Sequence, residues 1–189
     1  MTTWFTSDQH FGHRNIIQCC NRPFSSLDQM HEGLISRHNA VVATEDDVWH
    51  LGDFAMDDRL VQTFLPLLNG RHRLVAGNHD KCHPCHRRSE AAKRKYLLYG
   101  FDGVYQEVRL GPWLLNHLPY VGDSAHEPRY PEWRPKDDGR WLLHGHVHEL
   151  WKVRDRMVNV GVDQWNFAPV SLETIEKLVP DHTAEGQKQ

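Results

Sequence analysis

The sequence carries no large charge of either sign. Its 22 basic and 25 acidic residues leave a net charge of −3 with His neutral, so no global pull toward nucleic acid or anionic membrane follows. No apolar stretch approaches the ~20 residues that a membrane-spanning helix needs. The opening residues, Met1-Thr2-Thr3-Trp4-Phe5-Thr6-Ser7-Asp8, have neither a basic segment nor an apolar one, which argues against a secretory signal. Cysteine is scarce, with four residues at Cys19, Cys20, Cys82 and Cys85. Reduced thiols and a cytoplasmic location are the expectation. Internal repeats and inter-domain linkers are absent too. One domain over residues 1–180 and a polar tail over 181–189 are therefore expected.

What the sequence does have is histidine, 15 residues in 189, with no consecutive run. Histidine is the commonest metal ligand and the side chain that titrates nearest neutrality. Apolar patterning predicts strands at 3–7, 48–51 and 72–76, with a short helix at 14–20 and longer ones at 28–42 and 57–68 between them. Strand alternating with helix is α/β order, and such sheets bind ligands beyond the carboxyl ends of their strands. Further on, a helix is expected at 89–99, strands at 104–110, 113–118, 141–144 and 157–162, and a last helix from about Ser171. The Pro- and Arg-rich segment 119–139 reads as a long loop.

Polar clusters recur at the ends of the apolar runs: Asp8-x-His10, Gly52-Asp53, Gly77-Asn78-His79-Asp80, Asn116-His117 and Gly145-His146-x-His148. Each has the composition of a metal half-site, with oxygen from Asp and Asn and nitrogen from His. On an extended chain residues i and i+2 point to one side, so Asp8 and His10 can converge. His146 and His148 either converge likewise or face different ions. The donors outnumber the coordination sites of one ion, and Asp53 stands alone as a carboxylate able to bridge two. Two ions ~3.5–4 Å apart form a clamp for in-line phosphoryl displacement and generate hydroxide at neutral pH. His79 is then the candidate general acid, with Asp80 holding its tautomer.

This ordered set, running from Asp8 to His148, resembles the calcineurin-like metallophosphoesterase superfamily. The resemblance implies an α/β (α+β) fold: a four-layer αββα sandwich of two mixed β-sheets flanked by helices. It implies two divalent or trivalent metal ions, from among Mn, Fe, Zn, Ni and Co. Asp8, His10 and His148 would bind one, Asn78, His117 and His146 the other, and Asp53 would bridge them. His79 matches the family's catalytic histidine. The implied activity is metal-dependent phosphoester hydrolysis, on a diester in preference to a monoester, with a bridging hydroxide as nucleophile. Met56 stands where purple acid phosphatases carry a Tyr ligand, and Phe54-Ala55-Met56-Asp57-Asp58 lacks the Asp-Arg-Gly run of Ser/Thr protein phosphatases. The D-x-H and G-H-x-H pair matches small bacterial or phage-type phosphodiesterases better, and Phe11-Gly12-His13-Arg14-Asn15-Ile16-Ile17 also resembles a group of short, uncharacterised phosphoesterases.

The remaining residues admit two readings each. His13 and Arg14 are candidates to hold a phosphate oxygen, or are simply solvated. Arg129, Tyr130, Trp133 and Arg134 suit either a nucleotide-like substrate or a self-packed surface loop. Cys82-x-x-Cys85, with His83 and His86, is either a structural zinc site or a turn shaping the rim of the main site. His50 and His144 read as buried, hydrogen-bonded histidines. A non-catalytic scaffold is the rival function, but it should have lost ligands, and none is missing.

Overall fold

The computed structural model describes residues 1–124, 127 and 129–179; the expected tail lies outside them. Short runs of Val, Leu, Trp and Phe build the first sheet. Strands β1 (Thr3–Thr6), β2 (Asp47–His50), β3 (Arg71–Val75) and β4 (Gly103–Tyr105) are adjacent and parallel, and β10 (Val170–Ser171) pairs antiparallel on the far side of β1. The second sheet has the order β5 (Glu107–Leu110), β6 (Trp113–Asn116), β7 (Trp141–His144), β9 (Met157–Asn159), β8 (Val153–Arg154). Its three central strands are parallel and its two edge pairs antiparallel. Two mixed sheets with helices are as expected.

The helices are α1 (Ile16–Cys19), α2 (Leu27–Asn39), α3 (Asp58–Phe64), α4 (Ser89–Leu98) and α5 (Leu172–Leu178). The Ser26 hydroxyl accepts from the Gln29 N–H and caps α2; the Asp57 carboxylate accepts from the Arg59 N–H and caps α3. Pro66, which has no N–H to donate, turns the end of α3 into a 3₁₀ turn at Leu65–Leu67.

Period-two alternation sorts the strand residues into layers. Phe5, Trp49, Leu51 and Val75 meet Trp113, Leu115, Leu143 and Val158 between the sheets. Leu74, Ala76 and Val104 face the other way, onto Met30, Leu34, Val61 and Tyr96 of the helices. On the outer face of the second sheet, Leu114, Leu142 and Met157 pack under Tyr120 and Trp151. Both covering residues come from loops. Among the described residues no helix joins that cluster, so the expected fourth, helical layer is replaced by loop side chains.

The expected strand 104–110 is two strands in two sheets. A bend at Gln106 passes the chain from β4 to β5. No helix of the described residues is long and apolar enough to cross a membrane.

Candidate metal centre

The loops that follow β1, β2, β3, β6 and β7 bring the polar clusters to one end of the two sheets. The first three are packed backbone to backbone. Asp8 N–H donates to Gly52 O at 3.0 Å, His10 N–H to Asp53 O at 3.0 Å, and Phe11 N–H to Phe54 O at 2.9 Å. Gly52 sits at φ +94°, and a Cβ there would lie 2.5 Å from His117 Nδ1 and 2.6 Å from the Gly77 Cα. Only glycine allows the β2 and β3 loops to approach this closely.

Asp8, His10, Asp53, His146 and His148 all take left-handed backbone conformations, with φ of 59°, 54°, 53°, 72° and 45°. Such conformations cost on the order of 1 kcal/mol or more each and persist where surrounding structure fixes them. The side chains of Asp8 and His10 therefore converge through a kinked backbone, and the expected extended segment is not the cause. Arg22 is one element that fixes it. Its buried guanidinium donates to the Asp8 and Gln9 carbonyls at 2.7 and 3.1 Å, and forms a bidentate pair with Asp163 at 2.8 Å on both arms.

Two of the groups that the donor atoms form overlap at Asp8, namely Asp8–His10–His148 and Asp8–Asp53–His117; a third, Cys20–His148–Glu149, meets the first at His148. His148 Nε2 lies 3.4 Å from Asp8 Oδ1 and 3.1 Å from His10 Nε2. His117 Nε2 lies 3.2 Å from Asn78 Oδ1 and 3.4 Å from Asp53 Oδ2. That same Asp53 oxygen is 3.6 Å from His10 Nε2, so it stands between the groups. The other, Oδ1, accepts from the His79 N–H at 2.8 Å. Two ligands bonded at about 2.1 Å to one ion stand roughly 3–3.5 Å apart; the observed spacings fit.

Charge balance fits as well. Asp8 and Asp53 are buried carboxylates, which need positive charge close by. Imidazoles supply part of it. Burial works to lower His117, but the neighbouring Asp53 outweighs it and holds the group up at about 9. His148 is likewise raised, the bond to Asp8 overcoming burial. His10, by contrast, is pushed down by burial to about 3 and stays neutral, as a metal-binding imidazole must be. A pair of divalent cations would answer the same need with the same donor atoms.

His146 and His148 face different sides. The His146 ring is edge-on to His117 at 5.2 Å, on the Asn78 side, whereas His148 faces Asp8 and His10. His79 is half-exposed at the mouth, its Nε2 4.0 Å from Asp53 Oδ2 and its ring 5.2 Å from that of His10. His13 stands beside it, with ring centroids 6.2 Å apart.

Two expectations are corrected. Asp80 does not hold His79: its buried carboxylate accepts from the N–H groups of Asp53 at 2.8 Å, Gly77 at 2.9 Å and Phe54 at 3.1 Å. The turn after Gly77 points the carboxylate inward, where it ties the β2 loop to the β3 loop. Arg14 is not brought to the cluster. It lies exposed in a groove with Asn15, Gln18 and Leu27 that contains none of the candidate ligands, because the turn into α1 carries it outward.

Cys82 and Cys85 join none of the potential metal groups found among the described residues. Cys82 packs in the helix-side core, and His86 Nε2 bonds the Asn78 carbonyl at 3.0 Å, so this segment braces the rim. His50 and His144 are buried and hydrogen-bonded as expected, His50 between Gln9 and His72 and His144 to Gly145 O at 2.6 Å. Three partners of the ligands had no local signal in the sequence: Arg22 with Asp163, Cys20 at 3.2 Å from His148 Nδ1, and Asp123 at 3.2 Å from His146 Nε2.

No family model matches the sequence. Over 208 residues it is 35% identical to the gene 66 protein of Mycobacterium phage L5, covering 97% of each chain. The chain belongs to the gene 66 protein family. The counterpart of Mycobacterium phage D29 is 35% identical over 94% of this chain and 96% of its own. An archaeal relative, the uncharacterized protein MJ1445 of Methanocaldococcus jannaschii, is 33% identical over 93% of this chain and 90% of its own. Among solved structures, the Aquifex aeolicus protein of unknown function AQ665 superposes with a TM-score of 0.69 at 27% identity, over 94% of this chain and 99% of that one. The fold is thus shared with an Aquifex aeolicus protein of nearly the same length.

Proposed function

We propose that this gene 66 family member is a two-metal phosphoesterase of metallophosphoesterase type, acting on a phosphodiester. The observation that supports it most is the shared carboxylate oxygen: Asp53 Oδ2 lies 3.6 Å from His10 Nε2 and 3.4 Å from His117 Nε2. Asp8, His10 and His148 would hold one ion and Asn78, His117 and His146 the other. Bound there, the ions would lower the pKa of water and neutralise charge on the phosphoryl oxygens.

The protein's own groups supply the rest. His79 is half-exposed at the mouth of the centre, free to hand a proton to the leaving oxygen. Asp80 keeps Asp53 and Asn78 in register by binding the backbone of both loops. His13 faces the same opening and can donate to a phosphate oxygen. A groove of about 350 Å³ runs from His13 past His146 and His148 toward Arg129 and Leu150. It offers room for a second ester substituent, which favours a diester over a monoester.

The test is hydrolysis of bis-p-nitrophenyl phosphate beside p-nitrophenyl phosphate by metal-stripped protein with Mn, Ni, Co or Zn restored. Diester cleavage that returns with metal and is abolished in Asp53→Asn is the expected result. Preference for the monoester would move the assignment to a phosphomonoesterase. No turnover with any metal would leave a non-catalytic scaffold.

A further inference from the structure

Beyond His117, the segment between β6 and β7 brings a carboxylate to the centre. Asp123 Oδ2 lies 3.2 Å from His146 Nε2, and the side chain is 2% exposed. Arg134 forms an ion pair with the same oxygen. Arg134 is itself fixed, donating from Nη1 to Pro119 O at 2.6 Å and from Nε to Arg129 O at 2.9 Å. Its neighbour Trp133 packs edge-on against His83, at 5.6 Å between centroids. The guanidinium thus ties the start of the segment to its middle and presents Asp123 to the imidazole.

An ionised carboxylate accepts but does not donate, so the proton of neutral His146 must sit on Nε2. The lone pair is then on Nδ1. The Arg134 guanidinium paired with the same oxygen keeps Asp123 an acceptor. The other ligand rings show the same division of labour. His117 gives its Nδ1 to Leu51 O at 2.7 Å and turns Nε2 inward, and His148 turns Nδ1 to Cys20 and Nε2 inward. Metal-binding imidazoles characteristically anchor the nitrogen that does not bind the ion.

We propose that Asp123, clamped by Arg134, is the positioning residue for His146: it sets the ring's tautomer, makes Nδ1 the ligating nitrogen and couples the long segment to occupancy of the second metal site. This rests on the two-metal reading and adds a residue and a ligating atom to it. Asp123 and Arg134 then serve to complete the centre, while Tyr120 of the same segment packs on the second sheet.

The test compares wild type, Asp123→Ala, Asp123→Asn and Arg134→Ala after metal stripping. Co²⁺ titration followed by visible absorption reads the two sites, and ¹⁵N–¹H imidazole spectra read the tautomer, with His146 assigned from His146→Gln. The expected result is an Nε2–H tautomer for His146 in wild type, lost in Asp123→Ala. The second Co²⁺ should bind about 10–100-fold more weakly in that variant, while the first is unchanged. Asp123→Asn retains an acceptor oxygen and should fall between. If wild type binds two Co²⁺ and Asp123→Ala matches it in affinity, spectrum and tautomer, the inference is overturned and the two-metal reading stands. If wild type binds no Co²⁺, the two-metal reading falls and takes the ligand role of His146 with it.

Discussion

The carboxylate of Asp80 accepts the backbone N–H of Asp53 at 2.8 Å. The residue beside the candidate general acid therefore acts on the shared ligand and not on its neighbour. Burial and the adjacent Asp53 charge push the Asp80 carboxyl up to about 7, while the N–H donors of Gly77 and Asp53 pull it back. Asp80→Ala strands three buried donors, each worth about 1–3 kcal/mol. It should lose on the order of 3 kcal/mol or more in urea unfolding and fail to bind two metals. Asp80→Asn keeps one acceptor and turns an amide N–H toward Phe54, so it should lose less. Equal stability of Asp80→Ala and wild type would contradict this role.

His79 is half-exposed at the mouth of the centre and joins none of the donor groups among the described residues. His79→Ala should leave metal stoichiometry unchanged while slowing cleavage of an alkyl diester about 10²–10⁴-fold. An aryl leaving group needs little protonation and should be slowed far less. Matched slowing of both substrates would remove His79 from proton transfer.

Gly77 packs against Asp53, where a Cβ would lie 2.5 Å from the Asp53 nitrogen. Gly77→Ala must push the β2 and β3 loops apart. Metal affinity should fall sharply even though neither ligand type nor ligand number changes. Isothermal titration with Mn²⁺ reads this directly, and unchanged binding would show that the loops tolerate separation.

Acid stability should depend on the histidines under the first sheet. His38, His50 and His72 are buried, and burial lowers all three, His38 to about 4. In the unfolded chain they titrate near 6.5. A depressed folded value gives stability that is present above pH 6.5 and lost as pH falls toward 4. His38 alone accounts for up to roughly 3 kcal/mol. Asp80 works in the opposite direction, its raised value favouring the folded state as pH falls between its unfolded value and about 7. Comparison with His38→Gln isolates the effect, because Gln can still donate to Asn69 O, which His38 Nε2 meets at 2.8 Å. Thermal melts from pH 7.5 to 4.5 should show a shallower acid loss in the variant; parallel curves would contradict the assignment.

The convergence of the polar clusters was legible because each follows an apolar run and the five are distinct in type. The starts of α2 and α3 fall within one residue of the expected 28 and 57, where Ser26 and Asp57 cap them. The bend at Gln106 carries no Gly or Pro to mark it, so one apolar stretch concealed a change of sheet. Strands β8 and β10 have two residues each, too few for a period. Asp80 was misread because adjacency in sequence suggested a partner that the turn excludes. Arg22 and Asp163 are 141 positions apart, and Asp123 and His146 are 23 apart; neither pairing has a local pattern.

The central claim is that Asp53 joins two metal half-sites. The direct measurement is anomalous diffraction at the manganese edge from crystals of wild type and Asp53→Ala soaked in Mn²⁺. Two peaks about 3.5–4 Å apart flanking Asp53 are expected in wild type, one beside Asp8, His10 and His148 and one beside Asn78, His117 and His146, with at least one lost in the variant. A single peak, or none, in fully soaked wild-type crystals would contradict it.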